Sequence, residues 1–270
     1  MRFFALLAFV AALALGGWHL LVRSSDELRP TLVTPSMNVH NEFSSDLGAR
    51  LYRVTHQPTL AAGKDAYPKL IALTFDDGPY PIFTPLLLHQ LHALHVPATF
   101  FLIGRDAQQW PELAHRIEAD GNEVADHTYS HPDLDKESDR QVQEEVLRGR
   151  DVLWSLTHDP SVRTLMRPPH GRYTTATLHA VQSLGYQVVL WTDDGGDWKT
   201  LTPRQIETHM AKYATAPEIV LLHSGKLATI QAMPEVVARF RRAGYQFVTV
   251  GELLRRVNAQ EINRPERRSL

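Results

Sequence analysis

From Lys69 onward the chain alternates two kinds of pattern. Short apolar runs of three to six residues are followed by longer stretches in which apolar residues recur at helical spacing. The short runs predict strands over Leu70–Phe75, Ala98–Ile103, Glu123–Asp126, Thr164–Met166, Gln187–Trp191, Ile219–Leu222 and Phe247–Val250. The periodic stretches predict helices over Ile82–His95, Ala107–Ala119, Asp139–Leu156, Thr174–Leu184, Pro203–Tyr213, Ile230–Arg242 and Leu253–Val257. Gly121, Gly185 and Gly244 stand just past three of these helices, where a left-handed stop is common. Strands alternating with helices argue for an α/β fold with a parallel sheet and helices outside it. Either a barrel or an open doubly wound sheet fits, and both place active sites at the C-terminal ends of their strands.

The N-terminus breaks this rhythm. Phe3–Leu15 contains no polar residue, and Leu20–Val22 resume the run before Arg23. Residues 1–23 therefore read as a signal peptide or a single membrane anchor. Residues 24–68 show no sustained period and are rich in Ser, Thr, Pro and Asn, as a linker would be. The catalytic domain is expected over 69–257 and a solvated tail over 258–270.

Composition removes several classes of chemistry. The 270 residues include no cysteine, so disulfides, thiolate nucleophiles and thiolate-held metals are excluded. A net charge of −2 offers no basic field for nucleic acid. Any metal must be held by His, Asp, Glu or backbone oxygen.

Five polar groups follow predicted strands. Thr74-Phe75-Asp76-Asp77-Gly78-Pro79 ends the first strand with two adjacent acids. Neighbouring carboxylates in a cleft repel, which suggests one on a cation and one free as a base. His127 and His131 lie four apart, so their rings can converge, and imidazole suits zinc and similar ions. Arg167-Pro168-Pro169-His170-Gly171 is a stiffened turn. Trp191–Trp198 is an acidic loop with an aromatic at each end, and His223 closes the Ile219–Leu222 strand. The histidines at 89, 92 and 95 sit beside a leucine stripe with no carboxylate near and read as surface residues. Each group alone has a bland explanation as a turn, a solvated pair or a buried histidine; five of them at successive strand ends do not.

TFDDGP at 74–79, HTYSH at 127–131, RPPHG at 167–171, DGGDW at 194–198 and LLHS at 221–224 resemble, in order, the five motifs of the polysaccharide deacetylases with a NodB-type domain. The resemblance covers residues 69–250. It implies a distorted (β/α) barrel of about seven parallel strands. It also implies metal-dependent removal of N-acetyl groups from N-acetylglucosamine-containing glycans outside the cytoplasm. By motif position, Asp77, His127 and His131 would hold one divalent metal, with zinc expected. Asp76 would be the general base and Arg167 its partner. His223 would be the general acid, oriented by Asp197. Trp198 would line the acetyl pocket, and His170 would offer its backbone N–H to the oxyanion and its ring to the substrate groove. His170 departs from the family's usual tyrosine. An esterase or small-amide hydrolase using the same machinery is the alternative; a silent glycan-binding protein would lack the base or the acid.

Overall fold

The computed structural model describes residues 68–199, 201–212 and 216–262. The expected signal or anchor and all but the last residue of the linker lie outside the described residues, as does the tail beyond Ile262. Among the described residues no helix is long and apolar enough to cross a membrane.

Among the described residues eight strands form one sheet, and every pairing is parallel. They are β1 (Leu70–Asp76), β2 (Thr99–Leu102), β3 (Glu123–Asp126), β4 (Leu165–Met166), β5 (Gln187–Val188), β6 (Asp193–Asp194), β7 (Glu218–His223) and β8 (Gln246–Phe247). Seven run in the order β5-β4-β3-β2-β1-β7-β6, and β8 pairs with the start of β1. The helices are α1 (Phe83–Leu94), α2 (Gly104–Gln109), α3 (Pro111–Ala119), α4 (Asp139–Thr157), α5 (Thr175–Ser183), α6 (Pro203–Lys212), α7 (Leu227–Arg242) and α8 (Val250–Ile262). The sheet curls into a half-barrel wrapped by helices, the distorted (β/α) barrel expected from the motifs.

Alternation along β1 explains how the curl is filled. Ile71, Leu73 and Phe75 join the outer core with Leu87, Leu88 and Leu91 of α1 and Val236 and Val237 of α7. Leu70 and Ala72 belong to a second core with Phe101, Ala125 and Ile219, completed by Val250, Leu253, Leu254 and Val257 of α8. Both faces of β1 are thus buried, as parallel strands require. The same period of two places Thr74 and Asp76 on the inner side, above the second core.

Several elements differ from the expectation, and the fifth strand ends at Val188 rather than Trp191. One long helix over 107–119 is two, because Pro111 starts a new helix at Trp110. The acidic loop contains β6, a two-residue strand bonded to β7. The last strand is shorter and the last helix longer: α8 begins at Val250 and runs to Ile262, past the expected start of the tail. Glu123 accounts for that early start. Its carboxylate accepts from Gly251 N, Thr99 Oγ1 and Ser161 Oγ, anchoring the first turn of α8 at the base of the sheet.

Candidate active site

The C-terminal ends of β1, β3 and β7 and the segment after β4 bring together most of the residues singled out in the sequence. Asp77, His127 and His131 each offer a ligand atom, and these atoms lie within 4.8 Å of one another. His131 Nε2 is 3.4 Å and His127 Nε2 3.8 Å from Asp77 Oδ1. His127 Nδ1 is 2.7 Å from the Arg167 carbonyl oxygen. A carbonyl can only accept, so Nδ1 carries the proton and the Nε2 lone pair faces the carboxylates. Burial pushes the buried His127 down to about 3, against the pull of Asp77. His131 is lowered by burial too, again against Asp77. Two neutral imidazoles and one carboxylate oxygen, converging on one point, fit a divalent cation and suit zinc.

Beside this triad, the Arg167 guanidinium is fully buried and uses four of its five N–H groups. It donates to Asp76 Oδ1 at 2.5 Å, Thr74 Oγ1 at 2.8 Å, and the Val189 and Leu190 carbonyls at 3.1 Å each. It also lies 4.1 Å from the Phe101 ring centroid. Burial pushes the Asp76 carboxyl up while the Arg167 charge pulls it down. The second Asp76 oxygen stands 3.7 Å from His127 Nε2.

On the other flank, His223 donates its backbone N–H and Nδ1 to the two oxygens of Asp197, at 2.8 and 2.7 Å. Burial acts to lower the His223 pKa, but the Asp197 hydrogen bond and the charges of Asp197, Asp76 and Asp77 outweigh it, and the net shift is upward. Trp198 is 44% exposed and held by Asp194, whose carboxylate accepts from Nε1 at 3.0 Å.

His170 sits 4.7 Å from His131, ring centroid to centroid. Its Nδ1 meets Asp133 Oδ1 at 2.8 Å, and Lys136 and Arg172 bond the other Asp133 oxygen. The Lys136 and His170 hydrogen bonds hold Asp133 down at about 2. Asp133 was not singled out in the sequence, although it closes the HTYSH-P-D string.

The turns that carry the candidate metal ligands and His170 are tightly constrained. Asp77, Thr128, His131 and His170 all have positive φ, between 57° and 69°. Such backbone is costly for a non-glycine residue, roughly 1–3 kcal/mol each, and clusters where function demands it. Glu145 of α4 accepts from Ser130 N and Oγ at 2.8 and 2.9 Å and fixes the loop from below. Gly149, one turn on, meets the loop backbone itself. A Cβ there would lie 2.9 Å from the Thr128 carbonyl carbon and 2.6 Å from Asp126 Oδ1. Alanine favours a helix by about 1 kcal/mol over glycine, but backbone cannot yield as a side chain can. Gly149→Ala is therefore expected to destabilise by about 1–3 kcal/mol. A melting temperature at or above that of the parent would contradict the packing argument.

Three comparisons bear on the site. The family model described as "Polysaccharide deacetylase" matches residues 63–189. A peptidoglycan-N-acetylglucosamine deacetylase of Bacillus cereus is 36% identical over 192 residues, covering 69% of this chain and 89% of that protein. The chain belongs to the polysaccharide deacetylase family. A chitooligosaccharide deacetylase of Sinorhizobium fredii is 38% identical over 155 residues, 57% of this chain and 72% of that one. Among solved structures, the peptidoglycan deacetylase PdaC from Bacillus subtilis superposes with a TM-score of 0.66 at 31% identity. That match covers 73% of this chain and 95% of that one.

Proposed function

We propose that the protein removes acetyl groups from N-acetylglucosamine units of a cell-envelope or chitin-like glycan, releasing acetate and leaving a free amine. The convergence of Asp77, His127 and His131 beside the Asp76–Arg167 and His223–Asp197 pairs carries this reading. The three ligands would hold one divalent cation, zinc by their chemistry. When bound there, the cation supplies Lewis acidity toward a carbonyl oxygen and a water molecule.

The chain's own residues do the rest. Asp76 accepts a proton from the attacking water, and Arg167 holds the carboxylate in place. His223 delivers a proton to the departing nitrogen, a step amide cleavage needs because an unprotonated amine leaves poorly. Asp197 keeps the His223 Nδ1 proton, so Nε2 is the free position. The backbone N–H of His170 serves the developing oxyanion, a contribution worth about 10²–10³ in rate for such donors. Trp198 lines the acetyl pocket, and the His170 ring faces the glycan groove. Glycans of this kind lie outside the cytoplasm, which agrees with an apolar N-terminus that exports or tethers the enzyme.

Acetate release from N-acetylglucosamine oligomers by the zinc-loaded full chain tests the reading. No acetate from any oligomer would overturn it. The pH profile gives a further expectation. His223 works protonated, and its pKa is raised, so activity persists above the usual histidine range of about 6.5 and falls as His223 loses its proton. Asp197→Asn removes two of the upward causes and is expected to move that basic limb to lower pH. An unmoved limb in the variant would take His223 out of the proton-donor role.

A further inference from the structure

We infer that Thr229 is a positioning residue of the reaction, the third member of a Thr229–Asp197–His223 relay that aims the proton donor. The inference rests on the reading of His223 as that donor. Thr229 stands in the first turn of α7, fully buried. A helical threonine in water-poor surroundings ordinarily bonds a carbonyl one turn back. Here the hydroxyl instead meets Asp197 Oδ2 at 2.7 Å. A carboxylate can only accept, so Thr229 donates.

The Asp197 side chain is itself 0% exposed. Its Oδ1 receives the His223 Nδ1 proton, and its Oδ2 receives the His223 N–H and the Thr229 hydroxyl. The two bonds from His223 come from one residue, and both follow His223 if it shifts. Thr229 is the donor that ties the carboxylate to a different element, the long helix α7. It stops the carboxylate plane from turning about its own axis and carrying the imidazole with it. Lys226, at the N-cap of α7, makes no side-chain cap bond. The Thr229 hydroxyl places the Asp197 carboxylate beside the first turn of α7. One carboxylate thus joins His223 of β7 to a side chain of α7.

The test compares Thr229→Val, which keeps the shape and removes the hydroxyl, with Thr229→Ser, which keeps the hydroxyl. Kinetics on N-acetylglucosamine oligomers are measured for the full chain with zinc, alone and in an Asp197→Ala background. Thr229→Val is expected to lower kcat about ten- to hundred-fold, in line with a hydrogen bond to a charged group, with KM within twofold. Thr229→Ser recovers most of the rate. In the Asp197→Ala background the valine change adds less than twofold, because its effect runs through the lost carboxylate. A parental rate for the valine variant, a serine variant no better than valine, or an equal loss without Asp197 would each overturn the relay. An activity-independent arm separates this from failure of the deacetylase reading. The downfield Nδ1–H proton resonance of His223 is expected in the parent and the serine variant and lost to exchange in the valine variant. An unchanged resonance in Thr229→Val overturns the relay even if no variant releases acetate.

Discussion

Asp76→Asn is expected to lower kcat for acetate release by about 10²–10⁴, the range for a lost general acid–base group. Asparagine keeps the volume but cannot take a proton from water. The residues proposed to meet the substrate, Trp198 and His170, are other than Asp76, so KM should change little. The substitution also strips the fully buried Arg167 of its counter-ion at 2.5 Å. Breaking a buried pair from one side typically costs about 3–5 kcal/mol. The variant must therefore be assayed below its own melting temperature, with the folded fraction checked by circular dichroism. A folded variant within tenfold of the parental rate would remove Asp76 from the role of proton acceptor.

Chelation is expected to abolish acetate release, and added zinc to restore it. A binding readout makes the expectation independent of catalysis. A ligand that binds only the folded state at one hundred times its Kd adds about 2.7 kcal/mol of stability. Zinc should therefore raise the melting temperature of the stripped parent by several degrees. Asp77→Ala removes the shared oxygen that both imidazoles face and should show little or no zinc-dependent rise. Equal zinc stabilisation of parent and variant would place the ion somewhere other than between Asp77, His127 and His131.

What the sequence disclosed depended on how local the signal was. β1 through β3 and α4 were legible because burial imposes period on their own residues. α4 opens with a reciprocal cap, Ser138 and Gln141 bonding each other's backbone N–H. β6 was hidden because Asp193 and Asp194 are poor strand formers, and only pairing with Val220 and Leu221 makes them one. Asp77, His127 and His131 were legible as acid and histidine at strand ends, and their convergence agrees with that reading. The partnerships were not legible from spacing alone. Arg167 reaches Asp76 across 91 positions, and Asp133 reaches His170 across 37. Thr229 gave no signal, since a threonine near a helix start is unremarkable until its hydroxyl is seen on a buried carboxylate.

Asp76 and His223 occupy partnered positions on the adjacent parallel strands β1 and β7. Their backbones are thus held about 4.8 Å apart by the sheet ladder itself. The interval between the group that would gain a proton and the group that would give one up is ruled by main-chain pairing. The side chains of His170, Arg172 and Trp198 hang on the segments beyond the strands. Substitutions in those segments leave the main-chain ladder between Asp76 and His223 untouched.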